Sequence, residues 1–275
     1  MTSVPEQDDP IAKRFASWRS YQNYAQRVRH SRRYVWTLET HAFLKTVLST
    51  LRDRDVAVPE GSIFHRAQRG IDYQDVTDED GVTVGEEPLG FGAGRMKPRA
   101  TQATEGRANA AGIPVLYMAT SETTAISEVR PWIGSMISVA QLELLRAVRA
   151  VDLSKGHGKH HFLELIFSEV SGKSPDPEKV EQAVWTDIDN AFSEPVTLSD
   201  DSADYVPTQI LAELFRNEGY EAIIYRSQFG AGFNIALFDT DDARVINCAP
   251  YRVTSIDIQH EEIGNRWFVP KPNRS

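Results

Sequence analysis

Six polar side chains interrupt segments that are otherwise apolar. Arg66 breaks the run Ile63-Phe64-His65-Arg66-Ala67, and Arg107 and Asn109 precede the apolar stretch that carries Tyr117. Glu128 follows eleven residues beyond Tyr117, and Ser227 comes directly after Ile223-Ile224-Tyr225-Arg226. If they converge, two guanidiniums, a phenol, a carboxylate and a hydroxyl line one cleft. A guanidinium's planar fork donates two parallel charge-assisted hydrogen bonds and suits a pyrophosphate. A carboxylate beside a ribose stabilises an oxocarbenium-like transition state or orients an attacking group. The same residues fit a plainer arrangement, in which Arg66 and Arg107 pair with acids and Tyr117 packs in a core. Spacing alone does not choose between them.

Other candidates are weaker. His157, His160 and His161 form a short tract, KGHGKHH, but no carboxylate or thiol stands at a metal-ligand spacing from it, so no metal is expected. Gly90, Gly92 and Gly94 in PLGFGAGR could cradle a phosphate, yet they neither follow a clear strand nor open a helix, and a loop is the better reading. No P-loop, nucleophile elbow or HExxH motif is present.

These residues need elements to position them. Residues 11–54 contain neither Gly nor Pro and read as two helices; 70–106 is polar, rich in Gly and acids, and reads as a long loop. A strand is expected over Ile113–Ala119, a helix capped by Ser121 and stopped by Pro131, and strands at Ser135–Val139 and Leu145–Val151. Helices follow at Phe162–Glu169, Pro177–Phe192 and Thr208–Asn217, then strands at Ala222–Tyr225, Asn234–Phe238 and Ala243–Cys248. The class is α+β with a mixed or antiparallel sheet.

Composition sets the outer limits. The chain has 275 residues, 41% apolar, with a formal charge of −9. That is ordinary globular composition and excludes collagen, coiled coil and wholesale disorder. No window is apolar enough to cross a bilayer and the first residues are acidic, so no membrane association is expected and the location expected is cytoplasmic. One cysteine, Cys248, excludes an internal disulfide framework. Residues 11–54 carry ten Lys or Arg against two acids, ahead of an acidic body. Such a segment either grips an anionic partner such as nucleic acid or docks on that body.

Three segments carry a resemblance: FHRAQRG at 64–70, GRANAAGIPVLYMATSETTAISEVRP at 106–131, and YVPTQILAELFRNEGYEAIIYRSQFGAGFNIALFD at 205–239. Together they resemble the RES-domain family, named for its Arg, Glu and Ser. The resemblance implies three segments of chain: a basic helical N-terminal extension at 1–60, a RES domain at 61–250 and a tail at 251–275. It implies the α+β fold of diphtheria-toxin-like ADP-ribosyltransferases, a split, mostly antiparallel sheet flanked by helices. The activity implied is NAD+ degradation by cleavage of the nicotinamide–ribose bond, as a glycohydrolase or a phosphorylase. NAD+ is then consumed as substrate, with inorganic phosphate as a co-substrate in the second case, and no resident cofactor or metal is required. The family's Arg falls on Arg107, its Glu on Glu128 and its Ser on Ser227; Arg66, Tyr117 and Asn234 match positions at the NAD site, and Tyr205, Thr208 and Gln209 match with roles that include bracing. Many members are toxins of bacterial toxin–antitoxin pairs, which implies a helix-turn-helix antitoxin as partner; nucleic acid is not expected on the RES domain itself. Transfer of ADP-ribose to a macromolecule and a non-catalytic binding role are the alternatives. The chain departs from compact members in its N-terminal segment, in the 70–106 stretch, and in having Glu221-Ala222 where Asp-Gly is common.

Overall fold

The computed structural model describes residues 14–99, 102–157, 162–194, 202–258 and 260–267. In chain order the elements are helices Ser20–His30 (α1) and Leu38–Ser49 (α2), then strands Asp55–Val58 (β1), Ile63–Arg69 (β2), Asp72–Thr77 (β3), Thr83–Leu89 (β4) and Leu116–Ala119 (β5). Helix Glu122–Glu128 (α3) precedes strands Met136–Leu144 (β6) and Val148–Leu153 (β7). Three helices follow, Phe162–Val170 (α4), Pro177–Ser193 (α5) and Val206–Asn217 (α6), and strands Ala222–Arg226 (β8), Phe233–Leu237 (β9) and Ala243–Arg252 (β10) complete the chain.

Local chemistry accounts for the helix starts. Thr37 Oγ1 accepts from the Thr40 N–H at α2, Ser121 Oγ from the Thr124 N–H at α3, and Asp176 from the Glu178 N–H at α5, where Pro177 occupies the first turn. Among the described residues no helix is long and apolar enough to cross a membrane.

Eight strands form one sheet in the order β1-β7-β8-β9-β5-β2-β6-β10. Every neighbouring pair is antiparallel except β7 and β8. This is an α+β fold with a mostly antiparallel sheet flanked by helices. β2 runs alongside β6 from Ile63 to Arg69, but it meets β5 at one residue pair, His65 and Ala119. The sheet is therefore split between β2 and β5.

Alternation along the strands loads both faces. Val151, Leu153, Ile223, Tyr225 and Ala236 pack with α1, α2, α5 and α6 in the larger core. Leu116, Met118, Leu142, Ile235 and Leu237 face the other way, beneath Phe91 and Met96. Gly90 approaches Cys248 so closely that an added Cβ would lie 2.7 Å from its carbonyl oxygen, so the PLGFGAGR run packs as a core cover here.

The stretch expected as one long loop over 70–106 holds a hairpin, β3 and β4, paired in a two-stranded sheet of their own. All thirteen positions are exposed on both faces. A strand that buries neither face needs no alternation of apolar and polar residues, so the period-2 signal is missing. His160 and His161 lie outside the described residues.

The basic N-terminal segment docks on the acidic body at several points. Arg19 pairs with Glu169 at 3.4 Å, Arg29 with Asp204 at 3.6 Å, and Arg54 with the fully buried Asp189 at 2.7 Å. Tyr24, Val28, Phe43, Leu44 and Val47 of α1 and α2 are buried in the same core as α5 and α6, and β1 pairs with β7. Arg54 donates twice to Asp189, at 2.7 and 3.0 Å, and lies 4.3 Å over the Trp185 ring. Burial pushes the Asp189 carboxyl up to about 6, against the pull of that guanidinium and of the Gly156 N–H. Arg54→Ala leaves this desolvation opposed by one N–H alone and should cost about 3–5 kcal/mol, read as a lower midpoint in urea unfolding.

Candidate active site

The split opens into a cleft of about 500 Å³ whose walls include Arg66, Arg107, Tyr117, Glu128, Arg130, Tyr225 and Asn234. Its carboxylate comes from α3. Glu128 ends that helix, where the dipole presents its negative end and disfavours an anion. Two donors compensate: Ser227 Oγ and Asn234 Nδ2 each lie 2.6 Å from Glu128 Oε1. Both bonds fall on one oxygen, so Oε2 has no such bond among the described residues.

Ser227 serves more than the carboxylate. Its Oγ also accepts from the N–H groups of Phe229 and Gly230, at 3.2 and 3.1 Å, folding the loop between β8 and β9 around the hydroxyl. That loop lies against α3; a Cβ on Gly232 would sit 2.6 Å from the hydroxyl oxygens of Thr120 and Thr124. Ser227 itself is buried behind Glu128 and does not line the cleft.

Two guanidiniums supply positive charge. Arg66 on β2 donates through Nη1 to the Tyr117 carbonyl across the split, at 2.9 Å. Its Nε is buried without a hydrogen-bond partner, and burial pulls its pKa below the usual guanidinium range. Arg107 donates through Nη2 to the Glu194 carbonyl at 2.8 Å, and its Nε is likewise buried and unpartnered. Neither pairs with an acid among the described residues, so the arrangement that would neutralise them in salt bridges does not occur there. Two such cations in one cleft can receive an anionic ligand.

Tyr117 packs against the larger core and also lines the cleft. Its hydroxyl is committed, donating to Asn109 Oδ1 at 2.7 Å and accepting from the Ala108 N–H at 2.9 Å. Burial pushes it well above the ordinary phenol range. Asn109 Nδ2 reaches the carbonyls of Thr104, Ala110 and Ile113, while Gln209 Nε2 reaches those of Gly106 and Asn109. Gly106 is required here, because a Cβ would lie 2.6 Å from the Tyr117 hydroxyl. This web fixes the loop that presents Arg107. Thr208 stays outside it, bonding the Tyr205 carbonyl.

Three residues carry no sequence signal of their own. Arg69 donates to the carbonyls of Val129 and Arg130, both at 2.7 Å, and clamps the chain just beyond Glu128. Arg130 has φ of 46°, a strained value for a side chain of its size, and holds its guanidinium 4.7 Å over the Phe229 ring at the cleft wall. Tyr225 reads as one more apolar strand residue; burial pushes its hydroxyl up to about 12 against the Arg107 guanidinium beside it. Among the described residues no cluster of His, Cys, Asp and Glu could hold a metal ion.

A split sheet with a cationic cleft around one braced glutamate is the frame of this protein. The RES domain model matches residues 87–257, and the chain belongs to that family. The match takes in Arg107, Tyr117, Glu128, Ser227 and Asn234, while Arg66 on β2 precedes it. No curated protein matches the chain. Among solved structures it is similar to a chain of the M. tuberculosis MbcT–MbcA toxin–antitoxin complex, at 10% identity over 74% of this chain and 90% of that one, with a TM-score of 0.39.

Tyr117→Phe would orphan Asn109 Oδ1 and the Ala108 N–H, both in the loop that holds Arg107. It should cost about 1–3 kcal/mol in urea unfolding, and an unchanged midpoint would show that the hydroxyl does not brace this loop.

Proposed function

We propose that the cleft binds NAD+ and cleaves its nicotinamide–ribose bond. The observation that carries this reading is the pairing of unneutralised Arg66 and Arg107 with a carboxylate, Glu128, whose one oxygen is fixed by Ser227 and Asn234. Membership of the RES family supports it.

In this reading the two guanidiniums hold the pyrophosphate through their planar N–H forks. The ribose then lies beside Tyr117 and Glu128. As the bond from the anomeric carbon to the ring nitrogen breaks, its electron pair goes to nicotinamide and positive charge builds on the carbon. Glu128 faces that charge. A carboxylate already oriented by two donors needs little reorganisation, which is where such a site gains rate. Nicotinamide leaves as a neutral molecule, so the protein's part is positioning and charge stabilisation, and no resident cofactor is called for. Water as acceptor gives ADP-ribose and a proton; inorganic phosphate gives ADP-ribose 1″-phosphate.

Loss of NAD+ would stop growth, and this chain would act as the toxin of a toxin–antitoxin pair in the cytoplasm, restrained by a helix-turn-helix antitoxin that covers the cleft.

The test is nicotinamide release from NAD+ by purified protein, with and without phosphate, beside Glu128→Gln. Gln keeps an oxygen that can accept from Ser227 and Asn234, so the fold should stand while kcat falls about 100- to 1,000-fold. Equal rates for variant and parent would overturn the assignment. Label from NAD+ appearing on protein or nucleic acid would move the acceptor to a macromolecule.

A further inference from the structure

The β3–β4 hairpin is an anomaly of stability. Two-stranded hairpins are marginal in water unless one face packs on something. This one exposes both faces along its whole length, including the large apolar residues Tyr73, Val76 and Val84, with Val82 in the turn. Residues 72–87 hold seven acids and no Lys or Arg. Asp75 and Glu86 stand directly opposite each other across the ladder, a placement that repels. Among the described residues one ion pair touches the hairpin, a loose one from Asp72 to Arg95 at 3.8 Å near its base. Whatever covers the hairpin must bring both cations and apolar surface.

The same chain carries a surface of that kind. Between α1 and α2, Tyr34 is 89% exposed and Val35 73%, and Leu38, the first residue of α2, is 86% exposed. Arg32 and Arg33 adjoin them, and neither has an ion pair among the described residues. The turn is built, since the Trp36 indole N–H donates to the Arg33 carbonyl at 3.0 Å and Thr37 caps α2 directly after it. It offers exposed apolar residues edged by cations; the hairpin offers exposed apolar residues edged by carboxylates.

We propose that the protein self-associates by docking the acidic β3–β4 hairpin of one copy onto the basic Arg32–Leu38 turn of a second. Arg32 and Arg33 meet the opposed Asp75 and Glu86, relieving their repulsion, while Tyr34, Val35 and Leu38 cover Tyr73, which shares that face of the hairpin, and the neighbouring Val84. Each copy carries one of each surface, so a reciprocated contact closes a two-fold dimer and an unreciprocated one extends into a chain. The contact involves no residue of the cleft.

Sedimentation equilibrium of the full chain at low salt tests this. The parent should show at least twice the monomer mass, falling toward monomer as salt is raised. Arg32→Glu with Arg33→Glu should raise the dissociation constant about tenfold or more, as should Asp75→Lys with Glu86→Lys. The chain carrying all four changes should regain the parent's association, because the charges are then exchanged. A monomeric parent at low salt would overturn the proposal, and so would swaps that leave the mass unchanged. Singly swapped chains whose loss the combined chain fails to repair, with far-UV circular dichroism unchanged, would also overturn it.

Discussion

Everything at the site depends on how the sheet comes apart between β2 and β5. A continuous ladder there would fill the space with paired backbone and leave no cleft. The contact is reduced to His65 and Ala119, and the Arg66 guanidinium reaches across the opening to the Tyr117 carbonyl. One side chain thus spans the gap and charges it. The arrangement holds because each neighbour is fixed from its other side: β2 by its long pairing with β6, β5 by its pairing with β9.

The carboxylate is secured by a different means. Glu128 stands at the unfavourable end of a seven-residue helix, and its position is set by groups distant in sequence: Ser227, Asn234, and Arg69 behind the next two carbonyls. Strain at Arg130 belongs to the same turn. Backbone strain of this kind persists where the surroundings over-determine it, and the Arg69 clamp is such a surrounding. The guanidinium of Arg107 depends likewise on a hydrogen-bonded web, with Asn109, Tyr117 and Gln209 as its knots.

The charge imbalance along the chain is spent partly within it. Arg19, Arg29 and Arg54 dock the N-terminal segment on acids of the body, and the apolar faces of α1 and α2 enter the core beside α5 and α6. That leaves Arg32 and Arg33 beside exposed apolar residues at the turn, and a hairpin with no Lys or Arg at the opposite extreme.

The sequence by itself determined the elements whose signals are local. The Ser121 cap, Pro131 after α3, and the apolar runs of β5, β7, β8 and β9 all act over a few residues, so their positions were legible. The polar residues in or beside apolar segments, Arg66, Arg107, Tyr117, Glu128 and Ser227, stood out too, because a polar group in an apolar segment is costly without a partner. Tertiary structure alone decided what they do: that Ser227 stands behind Glu128, that the Tyr117 hydroxyl is committed to Asn109, and that Arg66 bridges a split. It also decided the β3–β4 hairpin, whose exposed faces leave no periodicity to read, and the buried Arg54–Asp189 pair, whose partners are 135 residues apart. Spacing along a chain reports what a residue does to its neighbours within a turn or a pleat. Convergence across the sheet is set by packing, which sums over contacts too far apart in sequence for any local pattern to record.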